Sequence, residues 1–250
     1  MHVYIYDSFL NQKKYDNILA KLETRLTDLG LNGKIFRLGI MKNIREIVID
    51  ELKRGATTII AVGNNKTVNQ VVNSLSGFNV PLGIIPIDNQ ENNSIATSLG
   101  IDNEQIACEI LSARRITRID LGLASNRYFL ATAAITCQET ILEISKNYSI
   151  EIIGPGEIKL INLPINQRLL LTKEKSNPQD GTLELVIKTA TTKRLFNKQF
   201  NQSIFSVNKI LIRNKKFPIL LDGTIPIAPP AEIRVIKQKL KVIVGRNRRF

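Results

Sequence analysis

The chain of 250 residues has no tryptophan, one histidine and two cysteines, and only 6% of it is aromatic. His2 is the single imidazole and lies at the N-terminal edge, which speaks against a histidine-based catalytic triad. Cys108 and Cys137 are isolated, so neither a disulfide framework nor a cysteine metal site is expected. No apolar run approaches the ~20 residues that a membrane-spanning helix needs. The start, Met1 to Asp7, lacks the basic-then-apolar layout of a signal peptide. These absences point to a reducing cytoplasm. Internal repeats and low-complexity tracts are absent too. What is present is an ordinary globular composition, 43% hydrophobic and 23% charged, in a chain long enough for one large domain or two modest ones.

Acidic residues are scarce in one region. Ile187 to Phe250 holds 15 Lys or Arg against Asp222 and Glu232, whereas residues 1–186 hold 20 of each sign. The net charge of +13 therefore falls at the C-terminal end. Such asymmetry suggests a surface that meets lipid headgroups or nucleic acid. The plain alternative is a solvated basic face with a frayed Arg246-Asn247-Arg248-Arg249 tail. No aromatic-rich basic strand of the RNA-recognition type accompanies the charge, which counts against nucleic acid.

The first half alternates strand and helix. His2–Tyr6 is a short β-rich run. Tyr15, Ile18, Leu19, Leu22, Leu26 and Leu29 then recur at steps of three and four, the stripe of an amphipathic helix that Gly30 stops. Lys34–Leu38 reads as a strand, and Ile44, Ile47, Val48 and Leu52 as a second helix ending near Gly55. Thr58–Val62 is a continuous apolar strand of the buried parallel type. Gly63-Asn64-Asn65-Lys66 is the turn after it, and Val68, Val71, Val72 and Leu75 carry a third helix. Pro81–Pro86 is a further buried strand, followed by a polar loop from Asp88 to Ser94 and helical positions Ile95, Ala96 and Leu99. Repeated βα units predict a doubly wound parallel sheet with helices on both faces, its ligand loops after Val62 and Pro86.

From about Arg118 the pattern changes to short strands: around Asp120-Leu121-Gly122, then Tyr128–Ala134, Ile158–Leu163, Leu183–Ile187, Asn208–Ile212, Glu232–Ile236 and Leu240–Val244. Gly154-Pro155-Gly156, Asp180-Gly181 and Asp222-Gly223 supply turns between them. The expectation is an α/β domain over residues 1–117 and a β-rich, sandwich-like domain over 118–250.

The loops carry a resemblance. Ile59 to Asn73, IIAVGNNKTVNQVVN, resembles the GGDGT-V-N-E-V-V-N block of the diacylglycerol kinase family. Leu82-Gly83-Ile84-Ile85-Pro86, followed by Ala96 to Ile101, is similar to that family's second nucleotide loop and the helix after it. Ile119-Asp120-Leu121-Gly122 with Arg127 to Leu130 resembles the entry into its β domain, and Asp180-Gly181 and Leu221-Asp222-Gly223 resemble its later DG turns. The five pieces fall in order over nearly the whole chain. NAD kinase shares the first block, but Gly83-Ile84-Ile85-Pro86 leading to Ser98-Leu99-Gly100-Ile101 fits the lipid kinases better.

The resemblance implies ATP and Mg²⁺ as cofactors and nucleotide-binding positions at Ser8, Gly63, Asn64, Asn65, Lys66, Thr67, Asn93 and Ser94. The departures from it are as informative. Asn64 and Lys66 replace glycines that let backbone wrap around phosphate. Asn65 replaces an aspartate, removing a negative charge from a site whose Mg²⁺ prefers carboxylates. Asn93 and Ser94 stand where the second loop has N-D, and Asp222-Gly223-Thr224 stands for the D-G-E whose glutamate serves as base, leaving Asp222 as the acid of the catalytic set. Asp180 resembles a residue near a structural Mg²⁺, although an Asp-Gly turn explains it equally well. Asp222 has the same alternative. Lys66 either touches phosphate directly or is a solvated turn residue. The stretch between Thr136 and Ile158 is too short for the helices the family places there.

Three function classes follow: a lipid kinase homologue with impaired transfer that binds lipid, nucleotide or a partner, which is favoured; an active lipid kinase with an altered phosphate loop; and a nucleic-acid binder. An anionic membrane surface is the expected partner, with peripheral membrane placement, and a homo-oligomer is compatible with the sequence.

Overall fold

The computed structural model describes residues 1–39, 43–75, 77–88, 92–145, 148–152, 154–165, 176–191 and 199–250. Two compact units emerge. The first comprises Met1–Ile119 and Lys239–Phe250, and the second Asp120–Pro164 and the described residues from 176 to Gln238. The C-terminal twelve residues thus belong with the first unit.

The first unit is an open parallel sheet in the order β2 (Gly33–Arg37), β1 (His2–Tyr6), β3 (Thr58–Gly63), β4 (Leu82–Pro86), with Val242 of β16 (Ala231–Ile243) paired in parallel to Leu82. Every residue of β3 and β4 is buried, as their unbroken apolar sequences require. Helices α1 (Asp16–Asp28) and α5 (Glu104–Ala113) pack together, as do α2 (Ile44–Lys53) and α3 (Asn65–Leu75), giving one helix pair to each face, and the short α4 (Ser94–Ser98) follows β4. Gly30, at φ +66°, ends α1 where the periodicity expects it. Helix α5 is not among the sequence expectations. Its signals are Asn103, whose side chain accepts the Ile106 N–H, Glu104 in the first turn, and buried Ala107, Cys108 and Leu111. The reversal of strand order between β1 and β3 is a topological switch point, where open α/β sheets bind ligands.

The second unit is antiparallel. One sheet runs β12 (Gln199–Val207), β11 (Leu183–Thr191), β10 (Gly156–Ile161), β7 (Thr132–Thr136), β14 (Ile219–Leu221), β15 (Ile225–Ile227). The other sets the start of β16 beside β13 (Lys209–Arg213), β8 (Ile141–Ser145) and β9 (Tyr148–Glu151). Alternate residues, among them Ile158, Leu160, Leu183, Leu185, Ile210, Ile212 and Ile233, are buried in one core, as in two sheets packed face to face. The expected fold class, a doubly wound parallel-sheet domain with a β-rich second domain, is the one observed. Strands β8 and β9 occupy the stretch judged too short for helices.

Two readings of strands change. Tyr128–Ala134 is two strands, β6 (Arg127–Phe129) and β7, because Leu130, Ala131 and Thr132 turn around a carboxylate described below. Glu232–Ile236 and Leu240–Val244 are one strand. Buried positions are odd-numbered at Ala231 and Ile233 but even-numbered at Leu240 and Val242, and the phase slips at Gln238, φ +48°. Buried Asp120 of β5 (Ile116–Ala124) holds the slip, accepting the Gln238 N–H at 2.7 Å and, with its other oxygen, the Gly181 N–H at 2.7 Å. Nor is the tail frayed: Gly245 N–H donates to the Leu99 carbonyl and Arg249 N–H to that of Ser98, both at 2.9 Å. No helix among the described residues is long and apolar enough to cross a membrane.

Candidate functional site

Three loops leave the carboxyl ends of β1, β3 and β4, and hydrogen bonds tie them together. In the first, Asp7 Oδ1 accepts from the Phe9 N–H and the Ser8 hydroxyl, each at 3.2 Å. Its Oδ2 accepts from the Thr67 hydroxyl at 2.5 Å, which links the first loop to the second. Asn65 links the second to the third. Its N–H donates to the Asn92 carbonyl at 2.8 Å, its Nδ2 to Ser94 Oγ at 2.9 Å, and its Oδ1 accepts the Ile95 N–H at 3.1 Å. Within the third loop, Asn93 donates from Nδ2 to the Asp88 carbonyl at 3.0 Å. Asn89, Gln90 and Glu91 lie outside the described residues.

All eight positions expected to meet nucleotide, Ser8, Gly63 to Thr67, Asn93 and Ser94, lie in these loops or in the first turn of the helices that follow them. Their backbone differs from expectation. Asn65 and Lys66 open helix α3 rather than forming a turn, so Lys66 needs no positive φ. Gly63 alone in this loop has one, +153°. A Cβ there would stand 2.5 Å from Thr67 Oγ1 and 3.1 Å from Asp7 Cβ. Gly63→Ala should therefore part the Asp7–Thr67 link and lower stability by ~1–3 kcal/mol, read as the urea midpoint. An unshifted midpoint would show the contact to be slack.

A helix N-terminus offers N–H groups to phosphate, but three of those here are occupied. Asn64 N–H donates to Thr67 Oγ1 at 3.3 Å, Lys66 N–H to Asn64 Oδ1 at 3.0 Å, and Asn65 N–H to Asn92 as above. The exposed Lys66 ammonium has no partner among the described residues. The carboxylates of this edge, Asp7 and Asp88, are engaged by Thr67 and by Asn92 Nδ2. No cluster of three or more His, Cys, Asp or Glu side chains suited to a metal occurs among the described residues.

In the second unit Asp222, at φ +46°, follows β14. Its Oδ2 accepts the Leu130 N–H at 2.8 Å, and its Oδ1 the N–H groups of Ala131 and Thr132 at 2.8 and 2.7 Å. Burial pushes this carboxyl up to about 6, against the three N–H groups that favour its charge. Asp180 accepts from the Thr182 N–H at 2.8 Å and hydroxyl at 2.9 Å, closing an Asx turn over Gly181. Burial pushes the thiols of Cys108 and Cys137 up to about 11, which suits inert packing residues. Sequence reasoning missed the roles of Asn92 and Asp120 and the contact between Asp7 and Thr67. A polar residue directly after a buried parallel strand was the available signal for Asp7.

An open parallel sheet with polar loops at its switch point, continued by an antiparallel sandwich, defines the two-unit class of fold found in lipid kinases. Residues 2–124 match the diacylglycerol kinase catalytic domain. The crystal structure of a diacylglycerol kinase from Bacillus anthracis str. Sterne superposes with TM-score 0.78 at 16% identity, covering 98% of this chain and 97% of that one. Two further structures from the same organism, of proteins described as candidate diacylglycerol kinases, give 0.80 and 0.77 at the same identity and coverage. At that identity the likeness establishes fold. No curated protein matches the chain.

Proposed function

We propose that this chain is a diacylglycerol kinase homologue that keeps the fold to associate with lipid at an anionic membrane surface, with phosphoryl transfer impaired. The observation that carries the reading is the loop's internal hydrogen bonding, in which Asn64, Asn92 and Thr67 accept three of the N–H groups that would face a phosphate. Asn65, neutral, stands where the family has aspartate and engages its amide nitrogen with Ser94 and its amide oxygen with Ile95. Mg²⁺ favours carboxylate and water oxygens in near-octahedral array, and these residues do not fit it. The excess of basic residues after Ile187 supports the anionic partner.

A second reading, an active kinase with an altered loop, has one observation in its favour. The exposed Lys66 ammonium at the start of α3 places positive charge at the helix end that already attracts anions. Calorimetry with Mg²⁺-ATP followed by a transfer assay on diacylglycerol vesicles separates the two. The expected result is weak or no heat of binding and no phosphorylated lipid; turnover above background would establish the active kinase instead.

A further inference from the structure

Among its described residues the second unit leaves five large apolar side chains more than a third exposed: Ile141, Tyr148, Phe205, Phe217 and Leu220. Three of them fall around one loop. Asn214 to Pro218 joins β13 to β14, with Phe217 in the loop and Leu220 two residues beyond it. Ile141 sits opposite Arg213, the residue that leads into the loop. Leu220 stands opposite Pro226 of the edge strand β15.

The loop is held firmly from below. Asn214, 8% exposed, uses its complete amide capacity of two donors and two acceptors. Its Nδ2 donates to the Gln138 carbonyl at 2.8 Å and to Thr140 Oγ1 at 2.7 Å, and its Oδ1 accepts the N–H groups of Lys216 and Phe217, both at 2.8 Å. Thr140, fully buried, donates in turn to the Thr136 carbonyl at 2.7 Å. A buried network therefore shapes a loop whose exposed products are Lys215, Lys216 and Phe217. Lys216 pairs with Glu139 at 2.5 Å and Arg213 with Glu143 at 2.5 Å, while Lys215 has no ion-pair partner among the described residues. The tip thus carries surplus positive charge beside aromatic and aliphatic groups.

We infer that this tip is an interfacial anchor for an anionic bilayer, with Phe217 and Leu220 entering at headgroup depth and Lys215 meeting lipid phosphate. The inference rests on the membrane association proposed above. An aromatic ring beside lysines is what the membrane–water boundary accommodates, since the ring sits among headgroups and the lysine stem extends its ammonium outward. A preformed loop loses little ordering entropy on contact, so a few side chains suffice for a reversible interaction.

The chain has no tryptophan, so Phe217→Trp introduces a single reporter at the tip. The full chain is mixed with phosphatidylcholine vesicles with and without phosphatidylglycerol. The expected results are sedimentation with the anionic vesicles only, a blue shift of the reporter's emission with them, and quenching by brominated acyl chains. Phe217→Ser with Leu220→Ser, both at exposed positions, should weaken sedimentation about tenfold or more, and Lys215→Glu should weaken it less, with unchanged thermal unfolding as the control. If the parent chain sediments but the double variant does so equally and the indole emission is neither shifted nor quenched, the membrane reading stands and the anchor is wrong. If the parent sediments with neither vesicle, the membrane reading fails and the anchor with it.

Discussion

Replacing Asp222 by alanine should unfold the second unit at markedly lower urea. Three N–H groups, of Leu130, Ala131 and Thr132, converge on this carboxylate at the corner between β6 and β7. Orphaning a buried donor costs ~1–3 kcal/mol, so three together put the loss at ~3 kcal/mol or more. Asp222→Asn should cost less, because its Oδ1 still accepts two of the N–H groups while its amide nitrogen faces the third. The pH dependence gives a second signature. Because the folded carboxyl is raised to about 6 from 3.8, the folded state binds the proton more tightly than the unfolded chain. The associated stability is fully present below ~4 and is lost as pH rises through ~6, at no more than ~1.4 kcal/mol per unit. Asp222→Asn should remove that slope. Equal urea midpoints for parent and alanine variant at pH 7 would show that the corner is held by other contacts.

The alternation of apolar runs made the first unit legible, since buried strands such as Thr58–Val62 and helical stripes such as Leu19-Leu22-Leu26 each have one environment. The second unit was harder because its strands change direction at single residues. Gln238 reverses the facing of β16 with a positive φ that depends on Asp120, 118 positions away. Asp222 likewise splits β6 from β7 across some 90 positions. Periodicity reports a side chain's environment but says nothing of a distant carboxylate that bends the chain. The site shows the same division. Gly63 to Thr67 and Asn93-Ser94 were placed by their likeness to a family's motifs. That Asn64 would accept its own loop's N–H, and that Asn92 would accept another, are local hydrogen bonds that the motif does not encode.

Converting Asn64, Asn65 and Lys66 together to Gly, Asp and Gly should create Mg²⁺-dependent ATP binding where the parent has little. Each change acts on a specific contact. Asn64→Gly removes the Oδ1 that holds the Lys66 N–H, freeing a donor at the head of α3. Asn65→Asp brings the carboxylate that Mg²⁺ requires. The new oxygens can still accept from the Ile95 N–H, and the Ser94 hydroxyl can reverse to donate, so the link between loops survives. Lys66→Gly clears a side chain from the approach of the phosphates. Calorimetry should then show heat that EDTA abolishes. Turnover should stay near background, because Thr224 stands where the resemblance places a glutamate base. Adding Thr224→Glu to the triple variant should give the first phosphorylated lipid, since a positioned base typically supplies ~10²–10⁴-fold. Metal positioning and proton removal are separate parts of the barrier, so neither set of changes alone should suffice. If the parent already transfers phosphate at a rate the triple variant does not improve, the loop is a working variant. Lys66→Ala in the parent would then be the informative change, expected to abolish the activity that its ammonium supports.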